Sequence, residues 1–150
     1  MSKLAAKSTI QKVSPSLANS KFGDDVGAEL VRQYREWQQS FQTTTQRMKL
    51  IRNICERIAN EFKPEQILLF GSHAYGTPTF ESDLDLLVVM PFEGSPLAQA
   101  VKISRQLNLM IPIDLIVRTR EQLSQRLAME DSFMREIVER GKVMYEAPHR

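Results

Sequence analysis

Cysteine is nearly absent from this 150-residue chain, and so are long apolar runs. Because Cys55 is the single cysteine, no disulfide can form within the chain, which is typical of a protein from a reducing compartment. No apolar run approaches the roughly 18 residues that a membrane-spanning helix requires. The N-terminus also lacks the apolar stretch of a signal peptide. We therefore expect a cytoplasmic protein with no membrane partner.

A strong excess of charge of one sign is missing as well. The 20 Lys and Arg residues nearly balance the 18 Asp and Glu residues, which leaves a net charge of +2. Residues 1–21 contain four lysines and no acidic residue, so the rest of the chain is slightly acidic. A slightly acidic body offers no basic channel for a nucleic acid, which argues against a polymerase and against direct nucleic-acid binding.

The N-terminal part of the chain divides into a tail and a helix. Residues 1–23 are rich in Ser, Lys and Ala and are expected to form a flexible tail. In residues 24–46, apolar residues recur at intervals of three and four and line one helical face: Val26, Leu30, Tyr34, Trp37 and Phe41. Such a face must be buried on the domain itself, on a second copy or on a partner. Trp37 favours the latter two, since large aromatic residues concentrate at interface centres.

Hydrophobic spacing in residues 47–146 predicts an α+β domain. A second helix extends to Pro64, where the apolar period changes. Short apolar runs then predict strands at 66–70, 83–90, 111–117 and 143–145. Helical spacing predicts further helices at 96–108, 121–129 and 132–140. The order of elements predicts a small β-sheet backed by helices.

Three aspartates interrupt the apolar strands. Asp83 and Asp85 are two residues apart, so both side chains point to the same face of their strand, and Asp114 interrupts a later strand in the same manner. If the two strands are neighbours, three carboxylates converge, and burying them uncompensated would cost many kcal/mol. Mg²⁺ or Mn²⁺ is the natural compensation, because these ions prefer hard oxygen ligands. The alternative, in which each aspartate caps a turn or pairs with an arginine, stays open at this point.

A Gly-Ser pair directly follows the first predicted strand. Gly71 permits a sharp turn and a close backbone approach, and Ser72 offers a hydroxyl and an N–H at the start of a short helix, which together can hold a phosphate. No Lys or Arg lies between Pro64 and Val101 to neutralise the aspartates or to bind a triphosphate. Metal ions and backbone amides would therefore have to neutralise the aspartates and bind the triphosphate. Two ions bridged by carboxylates are a standard arrangement for nucleotidyl displacement.

These motifs together resemble the nucleotidyltransferase superfamily of the DNA polymerase beta type. The pattern is Gly71-Ser72, ten residues, Asp83-x-Asp85 and a third aspartate, Asp114, on a later strand. The longer string over residues 68–88 resembles the minimal nucleotidyltransferases (MNT), a small bacterial and archaeal branch, and the resemblance extends over about residues 48–145. Residues 24–46 then form an extra N-terminal helix, and residues 47–146 form the nucleotidyltransferase domain.

The resemblance implies a nucleotidyltransferase fold, two Mg²⁺ ions and ATP as the substrate. It implies that Asp83 and Asp85 bind both ions and that Asp114 binds the catalytic ion and helps to activate the acceptor. It also implies that Gly71 and Ser72 hold the β- and γ-phosphates.

The resemblance also implies a partner. Many MNT proteins are antitoxins that transfer AMP to a tyrosine of a HEPN-domain toxin ribonuclease. The HEPN signature Arg-x4-His-x-Tyr is absent from this sequence, so the toxin would be a separate chain. The alternatives are AMP transfer to a small molecule such as an aminoglycoside, and a catalytically silent binding module; a homo-oligomer also stays open.

Overall fold

The computed structural model describes residues 24–149, so the predicted tail at residues 1–23 lies outside the described residues. Two helices come first, α1 (Asp24–Ser40) and α2 (Thr44–Phe62). The remaining elements are β1 (Gln66–Phe70), α3 (Ser72–Tyr75), β2 (Leu84–Val89), α4 (Pro96–Gln106), β3 (Ile113–Arg118), α5 (Arg120–Ala128), α6 (Ser132–Arg140) and β4 (Lys142–Glu146). The predicted α+β class, a small mixed sheet backed by helices, is confirmed.

The four strands form one sheet in the order β3-β2-β1-β4. β1 pairs antiparallel with both β2 and β4, whereas β2 and β3 are parallel. A parallel pair requires a crossover connection, and α4 provides it. As a result, the C-terminal end of β1 and the N-terminal ends of β2 and β3 lie at the same end of the sheet.

Alternate residues of the strands supply two hydrophobic cores, one on each face of the sheet. On the first face, Leu84 and Leu86 of β2 pack with buried residues of α1, α2 and α4. On the second face, Leu87 and Val89 pack with buried residues of α5 and α6. All six residues of β2 are buried, which explains the nearly uninterrupted apolar sequence of this central strand.

Local sequence signals set the helix boundaries. The Thr43-Thr44-Thr45 run separates α1 from α2, because Thr43 is the N-cap of α2 and its hydroxyl accepts from the Gln46 N–H. Lys63, in the left-handed conformation before Pro64, ends α2. None of the helices within residues 24–149 combines the length and apolarity needed to cross a bilayer.

The apolar face of α1 packs on the domain itself. Trp37 is 0% exposed and belongs to the same core as α2 and the first face of the sheet. Val26, near the start of the helix, is 57% exposed. The chain itself therefore covers the central aromatic residue for which an interface with a second chain was expected.

Candidate functional site

The predicted aspartates lie at one end of the sheet. Asp85 is directly opposite Phe70 of β1 on one side and Asp114 of β3 on the other. Asp83 precedes β2 and points to the same side as Asp85, since the two are separated by one residue. Asp83 and Asp85 are 8% and 7% exposed, whereas Asp114 is half-buried. The structure thus places Asp85 beside Asp114, with Asp83 adjacent along the chain.

Gly71 makes room for the carboxylate of Asp85. It leaves β1 with a positive φ of 71° and leads directly into α3, whose first residue is the half-buried Ser72. A Cβ atom built on Gly71 would lie 2.0 Å from Oδ2 of Asp85. No side chain fits in that space, so the loop backbone and the Asp85 carboxylate are in close contact because residue 71 is glycine.

The chemistry of these donors fits a hard divalent cation. Within the described part of the chain, no three Asp, Glu, His or Cys side chains form a ready-made metal-binding group. Mg²⁺ rarely needs one, because proteins usually hold it through one or two carboxylates, with waters and substrate phosphates completing the shell. Asp85, Asp114 and Asp83 supply carboxylate oxygens only, and the segment from Pro64 to Val101 that contains Asp83 and Asp85 has no Lys or Arg. These residues therefore suit an ion that is bound together with a phosphate ligand.

The family model described as "Polymerase beta, Nucleotidyltransferase" matches residues 52–150. The chain belongs to this nucleotidyltransferase family. The match contains all the predicted site residues, and it begins after α1 and the first turns of α2.

Comparison with other proteins adds one structural likeness. A crystal structure of a protein from Sulfolobus solfataricus, described as a candidate nucleotidyltransferase, is 23% identical and matches with a TM-score of 0.48. The alignment covers 71% of this chain and 86% of that chain. No curated protein matches the sequence significantly.

His73, next to Ser72 in this nucleotidyltransferase, faces the core. Its ring centroid lies 5.4 Å from that of Trp37 and 5.7 Å from that of Phe41. Its Nε2 lies 3.3 Å from the carbonyl oxygen of Ser82 and must carry the proton, because a carbonyl oxygen only accepts. Nδ1 is buried and has no hydrogen-bond partner among the described residues. His73 therefore joins α1 to the segment before Asp83, a contact that no short-range sequence signal could predict.

The position of His73 makes it a neutral side chain at physiological pH. Burial lowers the pKa of His73 from 6.5 to about 4, the Ser82 carbonyl opposes this shift, and the positive charge of Arg47 lowers the pKa further. In the unfolded chain the imidazole regains its ordinary pKa.

We therefore expect the free energy of unfolding to decrease as the pH is lowered from about 6.5 to about 4. In this window the unfolded chain binds a proton that the folded chain excludes, so acid favours unfolding by roughly 1 kcal/mol per pH unit. Above pH 6.5 the effect disappears. Urea denaturation at a series of pH values checks this, with H73Q as the control that lacks the imidazole. An equal acid dependence in H73Q would show that other groups cause the loss.

The positively charged side chain of Arg140 contacts α3, which follows the Gly71 turn. The guanidinium of Arg140, at the end of α6, lies 4.4 Å from the ring centroid of Tyr75 in α3 and donates to Glu136. Sequence reasoning missed this contact, since the two residues lie 65 positions apart. Arg118 shares β3 with Asp114 but lies opposite Val89, at the other end of the paired strands.

Proposed function

We propose that this nucleotidyltransferase transfers AMP from Mg²⁺-bound ATP to the hydroxyl of a tyrosine in a separate HEPN toxin chain, as the toxin's antitoxin. The observation that carries the reaction type is the placement of Asp85 beside Asp114 and against the Gly71 backbone. Membership of the nucleotidyltransferase family supports the same chemistry. The toxin partner comes from the resemblance to the MNT branch.

Each site residue has a role in this proposal. Asp83 and Asp85 would hold two Mg²⁺ ions, and Asp114 would help to hold the catalytic one and to activate the acceptor. Bound Mg²⁺ supplies positive charge that polarises the phosphates and makes the acceptor oxygen more nucleophilic. Gly71 and Ser72 lie at the turn after β1 and hold the β- and γ-phosphates through the backbone and the Ser72 hydroxyl.

The transfer step exchanges one phosphorus–oxygen bond for another. The acceptor oxygen forms a bond to the α-phosphorus as the bond to the oxygen bridging the α- and β-phosphates breaks. Pyrophosphate leaves, and the carboxylate of Asp114 takes the hydroxyl proton. The step needs no other reactant, because ATP supplies both the transferred group and the leaving group.

A protein acceptor agrees with the size of the described fold. Residues 24–149 are organised around one four-stranded sheet and its helices. A small-molecule transferase typically needs further surface to enclose its acceptor, since binding sites bury most of a small ligand. A tyrosine presented by another protein brings its own surface to the site.

The experiment that tests this function distinguishes AMP transfer from phosphate transfer. The chain is incubated with Mg²⁺, ATP and a HEPN protein carrying Arg-x4-His-x-Tyr, encoded beside its gene. Label at the α-phosphate should appear on that protein, and label at the γ-phosphate should not. Mass spectrometry should locate AMP on the tyrosine. Transfer of the γ-label, or no α-label on any tested protein, would contradict the proposal.

Asp114→Ala is expected to slow turnover much more than it weakens MgATP binding. The proposal places this carboxylate at the acceptor oxygen, so its removal costs transition-state stabilisation, about 100-fold or more in kcat. Calorimetry with MgATP and initial rates of label transfer measure the two effects separately. E121A, which removes an exposed acid on α5, is the matched control. Equal losses of binding and turnover would instead assign Asp114 to the nucleotide.

A further inference from the structure

We propose that Trp37 of α1 is a positioning residue for the nucleotide loop, defined as residues 71–82 between β1 and Asp83. The inference rests on the proposed function, since it assigns α1 a role in nucleotide binding. Two separate contacts carry it, one near each end of this loop.

The first contact holds the beginning of the nucleotide loop. His73 is 4% exposed and packs against Trp37 at 5.4 Å between ring centroids. Phe41 completes a cluster of three rings, edge-on to Trp37 at 5.1 Å and 5.7 Å from His73. His73 is two residues after Gly71, whose backbone contacts the Asp85 carboxylate. The aromatic cluster thus restrains the turn that is proposed to hold phosphate.

The second contact holds the end of the nucleotide loop. The indole N–H of Trp37 donates to the carbonyl oxygen of Phe80 at 2.8 Å. Phe80 is three residues before Asp83, and its own side chain is 38% exposed. His73 Nε2, held by Trp37, reaches the carbonyl of Ser82 at 3.3 Å. Trp37 therefore contacts both ends of the nucleotide loop. It packs on His73 near the beginning, and it reaches the end directly at Phe80 and through His73 at Ser82.

Trp37 and Phe41 lie outside the part of the chain that the family model matches, which begins at residue 52. The loop and the aspartates lie inside it. A helix beyond the matched region thus supplies a buried hydrogen-bond donor to the backbone of the nucleotide loop. General core packing would not require that the indole N–H bond a loop carbonyl, since other acceptors satisfy a buried indole equally well.

Trp37→Phe separates the hydrogen bond from the packing, because it keeps an aromatic ring and removes the N–H. I103V, at a fully buried residue of α4, is the control for a slightly loosened core. Thermal melts are used to check that both variants fold. Amide hydrogen exchange without nucleotide then measures the loop: exchange at residues 79–84 should be about tenfold faster in W37F than in I103V.

Calorimetry with MgATP tests the consequence for the site. W37F should bind MgATP about fivefold more weakly than the unaltered chain, whereas I103V should bind as tightly as the unaltered chain. Trp37 is the single tryptophan, so its fluorescence in the unaltered chain should also change when MgATP binds. Asp83→Asn with Asp85→Asn, which leaves the tryptophan in place, should remove that change.

Different results would contradict the positioning role of Trp37 and the proposed function. Unchanged loop exchange in W37F, or faster exchange with unchanged MgATP affinity, overturns the positioning role. Equal effects of W37F and I103V overturn it too, because they would reflect a looser core. If the unaltered chain binds no MgATP, the proposed function fails, and the exchange measurement alone decides whether Trp37 restrains the loop.

Discussion

Replacing Asp83 and Asp85 together with asparagine is expected to reduce nucleotidyl transfer about a thousandfold or more and to leave the domain folded. Asparagine keeps the size of each side chain, so the packing of β2, buried on both faces, is retained. What disappears is the negative charge that is proposed to hold Mg²⁺. Electrostatic stabilisation by such an ion is worth several kcal/mol, and each 1.4 kcal/mol or so corresponds to a tenfold change in rate.

Initial rates of α-label transfer and a thermal melt measure the two halves of this prediction. E93Q is the matched control, because it removes one charge from an exposed acid of the same segment without touching the site. The control should retain nearly full activity. Full activity in the double aspartate variant would refute the metal-ion mechanism at these carboxylates.

Gly71→Ala is expected to lower the transfer rate strongly and to destabilise the domain. The new methyl group would lie 2.0 Å from Oδ2 of Asp85, so either the carboxylate or the loop must move. The positive φ of 71° adds roughly 1–2 kcal/mol of strain for a residue with a Cβ. Displacement of Asp85 removes a proposed metal ligand, and we expect a loss of at least about 100-fold in the transfer rate.

The variant Gly94→Ala separates the strain of a positive φ from the steric clash with Asp85. Gly94 has a positive φ of 86°, but a Cβ there would meet no atom within 4 Å. This variant should therefore show a comparable backbone cost in urea denaturation and normal transfer rates. If G71A kept full activity, or if G94A lost as much activity as G71A, the close packing of the loop on Asp85 would not matter for catalysis.

Because α1 is buried on the domain, removal of the N-terminal segment should destabilise the domain. Trp37 lies in the core that α2 and the sheet share. Loss of a buried tryptophan typically costs about 3–5 kcal/mol. A chain truncated before α2 would thus lose stability as well as the restraint on the nucleotide loop, so single substitutions test the helix more cleanly than deletions.

Much of the local structure could be predicted from the order of the residues. The change from helical to strand spacing after Pro64 placed β1, β2 and β3 to within a few residues, because backbone period and burial are local properties. The spacing of Asp83 and Asp85 predicted their common face, since strand side chains alternate. The Gly-Ser turn after β1 was likewise visible, because glycine permits a conformation that other residues avoid.

Only the tertiary structure decided which distant elements meet. That β3 is the parallel neighbour of β2, with Asp114 opposite Asp85, depends on the pairing of whole strands, and the sequence left it conditional. Only the position of the Asp85 carboxylate shows that a side chain at residue 71 would clash with it.

The role of α1 shows the same division. By itself, the sequence determined that α1 has an apolar face that must be buried, because helical periodicity is local and an exposed face of that size is costly. It could not determine what covers Trp37, since hydrophobic burial is non-directional and a second chain would satisfy it equally well. The tertiary structure decided this: Trp37 packs against His73 and donates to the Phe80 carbonyl, contacts between residues that are 36 and 43 positions apart in the sequence.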